Sequence, residues 1–279
     1  MPIFLVAGIG QLLVILSGGI DISIGSILGF AGIGTGLIMR DHPTVAVPLI
    51  LLAGLGMGLA LGALNASLIA LVRIPPLIVT IGTLAAFRGL TFLISKGDQI
   101  DSSMIPDSVT GLASKGLAVA SVNFSWLLII ALLAAATFGL LLRHSRPGRN
   151  LIAFGSSANS AHLRGINGQA ITFWVYVISG ACSGLAGVMY AAKFGFVNPG
   201  SAGQNLELTV IAAVAIGGTK LTGGSGSVLG VLLGCLLLSC INVGLSILGI
   251  DANWQVLAYG VVILLAIFVD AWAERRQKV

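Results

Sequence analysis

The sequence predicts an all-α polytopic membrane protein with about eight or nine transmembrane helices. Apolar residues make up 57% of the 279 positions, whereas charged residues make up 8%. Because one crossing of the bilayer core needs about 20 apolar residues, this composition allows about eight crossings. A water-soluble protein of this composition would expose very large apolar patches, and disordered chains have the opposite composition. Both classes are therefore excluded.

Nine apolar runs, each bounded by charge, proline or glycine, are the predicted spans. In chain order they cover residues 3–17, 24–39, 46–72, 77–95, 120–142, 171–193, 207–217, 226–247 and 254–270. The seventh run is short for a full crossing, so we expect a short or broken helix near 207–217. The whole chain, 1–279, is predicted to form a single transmembrane domain.

Loop charges predict the orientation of these spans in the membrane. Residues 142–171 carry four arginines and no acidic residue, and the tail 274–278 is also basic, which is typical of the cytoplasmic side. The more acidic loop 96–119 suits the outer side. Alternating crossings then place the C-terminus in the cytoplasm and Met1 at the outer face. Because a first span that begins outside is unusual, we expect that a natural N-terminal span is missing.

The basic loop 143–170, between the fifth and sixth predicted spans, is the largest polar loop of the chain. Residues 157–164 are predicted to form a short helix that Ser157 caps and Gly165 ends. A basic helix held at the membrane surface can serve as a docking site for another protein. The alternative is a solvated loop whose arginines only fix the orientation of the chain.

Two glycine segments resemble each other. Residues 18–26 read GGIDISIGS, and residues 217–225 read GGTKLTGGS. Each is predicted to lie between an inward and an outward span, which indicates a parallel internal repeat. Chance similarity in a glycine-rich chain is the alternative. Asp21 and Lys220 align, and we hypothesise that they form an ion pair, because charges near lipid seldom stay unpaired.

Polar side chains in or beside the spans are candidates for a translocation path or a gate. Arg88 lies near the middle of a predicted span, where a charge needs a cavity or a partner; a hydrogen bond to backbone carbonyls is the alternative. Glu207 opens the short seventh run, and simple capping is its alternative. Asp21 or Ser23 could likewise cap the following helix. The candidates are Asp21, Ser23, Asn65, Arg88, Glu207 and Lys220.

Small residues recur at four-residue spacing on two predicted spans. Such faces let helix backbones approach closely, so we expect helix packing there rather than a substrate path. The glycines of these faces are Gly54, Gly58 and Gly62 on the first span and Gly226, Gly230 and Gly234 on the second.

No residue set in the sequence predicts catalysis or metal binding. A phosphate-binding GxxxxGK[ST] motif, a metalloprotease HExxH motif and a Ser-His-Asp order are all absent from the sequence. The three cysteines lie in apolar runs and are expected to be buried hydrophobes, and the three histidines are isolated. The excess of basic residues is explained by the loops, so we expect no nucleic-acid partner.

At this level of detail the chain resembles the permease subunits of sugar-type ATP-binding cassette importers, in the family of the bacterial ribose permease. Four segments carry the resemblance: LVILSGGIDISIGS at 13–26, GRNLIAFGSSANSAHLRGIN at 148–167, LELTVIAAVAIGGTKLTGGSGSVLG at 206–230, and the closing run to Asp270. The family's full chains have about ten spans, which agrees with the missing N-terminal span. One departure is Ser157-Ala158, where the family often has Asn-Glu, so an acidic contact with the ATPase is missing or moved.

The resemblance implies a multi-subunit importer in the bacterial inner membrane. Two permease subunits would form the pathway, and two cytoplasmic ATPase subunits, which bind ATP and Mg, would move it between outward-open and inward-open states. An extracytoplasmic sugar-binding protein would deliver the solute, and the permease itself would bind no cofactor. The implied ATPase-coupling residues are Arg149, Ser157, Ala158, Asn159, Ala161, Leu163, Arg164, Gly165 and Asn167.

The main functional alternative is an ion-coupled secondary transporter, which should hold acidic residues at mid-membrane. Related importer permeases for autoinducer-2, nucleosides or branched-chain amino acids are further alternatives. The two glycine segments favour the sugar branch, in which pentoses, hexoses and deoxyhexoses all stay possible as substrates.

Overall fold

The computed structural model describes residues 1–119 and 122–250, together with seven single positions between 254 and 268. The predicted span 254–270 and the basic tail therefore lie outside the continuously described residues. Eleven α-helices form within them. These are α1 (Pro2–Leu16), α2 (Ile24–Asp41), α3 (Val47–Ala66), α4 (Pro76–Ser95), α5 (Asp107–Ser114), α6 (Trp126–His144), α7 (Arg146–Ser156), α8 (Ala158–Leu163), α9 (Gly168–Phe194), α10 (Leu206–Ile216) and α11 (Val228–Ile247).

The predicted spans coincide with helices throughout the described part. Eight of the nine runs correspond to α1, α2, α3, α4, α6, α9, α10 and α11. Five helices are long and apolar enough to cross a membrane: α3 with its π-helical continuation (Ser67–Leu71), α4, α6, α9 and α11. The chain is thus a multi-pass all-α membrane protein, as predicted.

The fifth predicted run begins too early. Residues 120 and 121 lie outside the described residues, and β2 (Val122–Ser125) pairs antiparallel with β1 (Gly116–Val119), so that α6 starts only at Trp126. The reason is a change of period, because apolar and polar residues alternate along β2 and this two-residue period favours a strand. Ser125 then caps α6 by accepting a hydrogen bond from the Leu128 N–H, at 3.4 Å.

Helix α9 lies at the centre of the bundle. Its most apolar 18-residue window is 61% buried, against 28% or less for the other four long helices. Asn167 Oδ1 accepts a hydrogen bond from the Ala170 N–H at 3.0 Å and so caps its start, and Gly195 ends it with a φ of 70°. Helices α1, α2 and α3 all pack against α9, which is therefore their common packing partner.

Helix α10 is short, as the sequence predicts. Its 11 residues span about 16 Å, roughly half the thickness of a bilayer core. The preceding segment, 195–205, has no regular helix and follows α2. Val197 lies beside Gly32 and Ala202 beside Gly29, and Gly203 lies against Gly25. The segment thus descends about 10 Å along α2 before α10 begins, at 1.5 Å per residue.

Candidate functional site

The basic loop folds into the two helices α7 and α8. Ser157 separates them, and its hydroxyl accepts a hydrogen bond from the Ser160 N–H at 3.3 Å, so it caps α8 as predicted. Gly165 follows the end of α8 with a φ of 75°. Ala161 is buried beneath the helix. The other residues of the predicted coupling set are exposed: Arg149, Ser157, Ala158, Asn159, Leu163, Arg164, Gly165 and Asn167.

An apolar side chain stands out from the tip of α8. Leu163 is 88% exposed, beside the exposed Arg164. A cavity of about 890 Å³ separates this region from the turn between α3 and α4, with Arg73, His162 and Gln169 among its lining residues. Helix α8 therefore presents one apolar point to a partner and has free space on its inner side.

The end of α7 lies on the second glycine segment and on the end of α1. The Gly224 N–H donates a hydrogen bond to Leu16 O at 3.0 Å, which joins the second segment to the end of α1. The Ser156 hydroxyl donates to Gly224 O at 3.4 Å. A Cβ atom at Gly155 would lie 2.7 Å from Gly224 N and still closer to Leu16 O. We call Leu16, Gly155, Ser156 and Gly224 the glycine junction, a close backbone contact between three parts of the chain.

Asp21, in the linker between α1 and α2, is fully buried. Its carboxylate accepts hydrogen bonds from the Ser23 N–H (2.9 Å), the Ser23 hydroxyl (2.6 Å) and the Ser179 hydroxyl of α9 (2.9 Å). The Asn65 amide of α3 donates to the Ser23 oxygen at 2.8 Å. Burial raises the pKa of Asp21, and the bonds from Ser23 and Ser179 oppose that rise. These four residues form the Asp21 cluster, which links the first glycine segment to α3 and α9.

The hypothesised ion pair between Asp21 and Lys220 is wrong. Both residues belong to the described part of the chain, and the Asp21 carboxylate is hydrogen-bonded to Ser23 and Ser179 instead. Lys220 lies in a tight turn in which its N–H donates to Ser225 O and its carbonyl accepts from the Gly223 N–H, both at 3.0 Å. The two segments touch through their backbones, so sequence alignment did not identify which side chains meet.

Arg88 and Glu207 lie where segment 195–205 meets α10. Arg88 Nη1 donates a hydrogen bond to Ala202 O at 2.6 Å, so its partner is a backbone carbonyl, the alternative given for this residue in the sequence analysis. Glu207 is buried in the first turn of α10, and its Oε2 atom has no hydrogen-bond partner within the described ranges. A Cβ at Gly25 would overlap this oxygen. Arg88 therefore holds the irregular segment against α4.

The predicted glycine faces lie at two helix contacts. Gly58 and Gly62 of α3 pack against Gly180 of α9, and Gly54 packs against Val188. In the second face, Gly226 lies against Thr219, Gly230 against Gly217, and Gly234 against Ala213, which brings α11 close to α10. Backbone contact at this distance is the use that membrane helices make of small residues.

A third glycine face was missed by the sequence reasoning. Gly25, Gly29, Gly32 and Gly36 share one side of α2, at spacings of four, three and four residues. Segment 195–205 and Ile100 lie against this side. The regular spacing was a usable signal, whereas nothing in the sequence marks Ser179 or Gly155 as contact residues.

Comparison with known proteins identifies the family. A family model described as "Branched-chain amino acid transport system / permease component" matches residues 1–267. The ribose import permease protein of Escherichia coli (strain K12) is 34% identical over 266 residues, which is 95% of this chain and 81% of that protein. No solved structure matches the chain significantly.

Two further relatives carry different substrate names. The D-allose transport system permease protein of Escherichia coli (strain K12) is 35% identical and covers 94% of this chain and 78% of its own length. The autoinducer 2 import system permease protein of Photorhabdus luminescens is 34% identical, with 96% and 78% covered. The resemblance stated from the sequence is confirmed: the chain belongs to this family of permease components and is a membrane transport subunit.

Proposed function

We propose that the chain is the permease subunit of an ATP-driven importer for a monosaccharide or a related small polar solute. It would reside in a bacterial inner membrane with its C-terminus in the cytoplasm. Its partners would be a second permease subunit, cytoplasmic ATPase subunits that bind ATP and Mg, and an extracytoplasmic binding protein. The names of the relatives support this substrate class, because the ribose and allose permeases both transport sugars.

The observation that carries the coupling role is the position of α8. This helix is exposed at its tip, while the preceding helix, α7, ends on the glycine junction. A push on α8 would therefore reach the end of α1 and the loop before α11 through close backbone contacts. Packed helices respond to such displacements by rocking between discrete arrangements.

The Asp21 cluster would hold the first glycine segment in position while the helices around it move. It joins the first glycine segment to α3 and α9 through Ser23, Asn65 and Ser179. Arg88 and Glu207 would act further along, where segment 195–205 enters the bundle. Lys220 would support the second glycine segment through the turn that contains it. In this scheme the candidates position moving parts, and affinity for the solute comes from the binding protein.

Transport in a reconstituted system tests the function directly. Proteoliposomes holding the permease and its ATPase subunits, supplied with the binding protein, should accumulate radiolabelled ribose or allose when ATP is present inside. Uptake of labelled leucine and of labelled autoinducer-2 is measured in parallel, because these are the alternative substrates. Uptake that depends on an ion gradient and ignores ATP would establish a secondary transporter instead, and selective uptake of leucine would contradict the sugar assignment.

The coupling role predicts loss of ATPase binding when the tip of α8 is reversed in charge. Arg164→Glu combined with Gly165→Glu should reduce co-purification of the ATPase subunits by at least about tenfold, because like charges or bulk at a docked surface cost more than the roughly 1.4 kcal/mol that a tenfold loss of affinity represents. Membrane insertion should be unchanged. Lys115→Glu, an exposed basic residue beside β1, is the matched control and should bind normally. Equal co-purification of both variants would refute the coupling role of α8.

A further inference from the structure

An apolar groove lies between α6, α7 and α9. Its volume is about 540 Å³, and its walls include Leu13, Phe138, Leu141, Ile171, Trp174 and Ile178. On α9 it extends from Ala170 to Ile178, about 12 Å at 1.5 Å per residue. The groove is partly open, and its length and apolar walls suit a hydrocarbon chain.

One end of the groove is basic. Ser145, Pro147 and Gly148 line it at the turn from α6 into α7. Three exposed arginines flank these lining residues, in the last residues of α6 and the first residues of α7, and we call them the arginine turn. They are Arg143, Arg146 and Arg149. The positive end of the α7 helix dipole lies at this point as well.

These arginines have no protein counter-ion in the described part of the chain. Residues 108–206 contain neither aspartate nor glutamate. The one ion pair found among the described residues joins Arg40 and Asp41, far away in the sequence. Arg149 Nη1 donates to the carbonyl of His144 at 3.1 Å, which leaves its charge uncompensated. The groove thus combines an apolar body with an end that attracts an anion.

Trp174 lies midway along the α9 wall of the groove. Its ring lines the groove, is 59% exposed, and stands edge-on to Phe173 with ring centroids 5.6 Å apart. Tryptophan is enriched at the level of lipid headgroups, where its ring is apolar and its N–H is wet. The arginines lie next to the last α6 residues that line the groove, Leu141 and Leu142.

We propose that this groove binds an anionic phospholipid, with an acyl chain between α6 and α9 and the phosphate on the arginine turn. Guanidinium groups hold phosphate oxygens through paired hydrogen bonds, and basic pockets between membrane helices recognise anionic headgroups in this way. The groove includes neither the glycine junction nor the tip of α8, although Arg149 and Asn167 also belong to the implied coupling set, so lipid binding is tested in the permease without its ATPase subunits.

Tryptophan quenching by brominated lipid tests the site in the full-length permease. Trp126, Trp254 and Trp272 are replaced by phenylalanine, so that Trp174 is the single emitter. The protein is placed in nanodiscs of phosphatidylcholine with a small fraction of acyl-brominated phosphatidylglycerol or, in a parallel series, acyl-brominated phosphatidylcholine. Half-maximal quenching should need at least about fivefold less brominated phosphatidylglycerol than brominated phosphatidylcholine, which is the effect expected of one arginine near a phosphate.

Two variants separate the parts of the site. Replacing Arg143, Arg146 and Arg149 with glutamine should abolish the preference for the anionic lipid and leave quenching by phosphatidylcholine unchanged. Ala170→Phe, which fills the groove four residues before Trp174, should weaken quenching by both lipids. Arg40→Gln is the matched control, because it removes an exposed arginine away from the groove, and it should keep the full preference. Size-exclusion profiles and thermal unfolding confirm that each variant is folded.

Three results would overturn the proposal. Equal quenching by the two lipids with the arginines intact would remove the headgroup specificity. If the preference for the anionic lipid persists in the triple glutamine variant, it arises from a part of the protein other than these three arginines. Cross-linking that traps Trp174 against a second copy or an ATPase subunit, together with the absence of quenching in the complex, would show that protein and not lipid fills the groove.

Discussion

At the scale of single residues, the Asp21 cluster shows how a charge is kept inside an apolar bundle. The carboxylate is fully buried and accepts three hydrogen bonds, two from Ser23 and one from Ser179. A buried carboxylate that loses a donor suffers the cost of desolvation without compensation. Ser179 is the partner from a different helix, so it joins the linker to α9.

The variant Ser179→Ala should destabilise the protein by about 1–3 kcal/mol, because it leaves one carboxylate oxygen without its donor. Thermal unfolding in detergent measures the effect. Ser183→Ala is a close control, since Ser183 is also buried on α9 but donates to Ser179 O within its own helix, at 2.9 Å. Equal losses for the two variants would mean that the bond to Asp21 contributes little to stability.

Residue-level predictions from the sequence succeeded where one chain position is enough to determine the outcome. Ser157 was predicted as the cap of α8, and this is confirmed, because a serine before a short helix acts on its own N-terminal amide groups. The prediction of an Asp21–Lys220 ion pair failed because the two residues are far apart in the sequence. Whether their side chains meet depends on tertiary packing, which no local sequence pattern contains.

At the scale of elements, the contact between α3 and α9 depends on glycine from both sides. Gly58 faces the backbone of Gly180, and a Cβ there would also lie 2.8 Å from the Cα of Gly184. Without a strong hydrophobic force between helices in lipid, such close packing is a main source of association. The long central helix is therefore held by backbone proximity more than by large side chains.

The variant Gly58→Ala should cost about 1–3 kcal/mol of stability, because an added methyl overpacks the contact and separates the helices. Gly56→Ala is the matched control. It lies on the same helix, and in the described part of the chain a Cβ at Gly56 meets no atom within 4 Å. The melting temperature in detergent should fall for the first variant and hold or rise for the second. A similar melting temperature for both would refute this role of Gly58.

The elements themselves were largely predictable because length and apolarity determine a membrane span. Eight runs became helices, and the short run near 207–217 became the short helix α10. The start of α6 was not predicted, because the two-residue alternation along β2 was counted as part of the apolar run that follows it. The glycine face of α2 was overlooked although its spacing was visible, and its partners, the irregular segment and Gly187 of α9, depend on tertiary packing.

At the scale of the whole molecule, the glycine junction is the place where distant parts of the chain meet. Leu16 ends α1, Gly155 and Ser156 end α7, and Gly224 precedes α11, so three elements share one backbone contact. The sequence revealed that the two glycine segments are similar. It gave no sign that α7 would lie on the second segment and on the end of α1, since that depends on how the spans assemble.

The variant Gly155→Ala should reduce ATP-driven uptake in proteoliposomes by about fivefold or more, the range of typical coupling energies, because a methyl group forces the junction apart. ATPase binding should stay intact, since the tip of α8 is unchanged. Gly139→Ala on α6, where a Cβ makes an ordinary 3.8 Å contact, is the control. Normal uptake by the Gly155 variant would show that the junction does not transmit motion.

The irregular segment before α10 has a consequence for how much work an opening requires. Its backbone is outside any helical ladder, and Arg88 fastens it through a bond to Ala202 O. Displacing a fully helical span would mean breaking many internal amide bonds in lipid. This segment is held instead by the Arg88 bond and by a small number of other bonds, among them the two backbone bonds of 2.9 Å between Val197 and Ile100, so re-shaping it costs less. A passage built beside residues 195–205 could thus widen while every neighbouring helix stays wound.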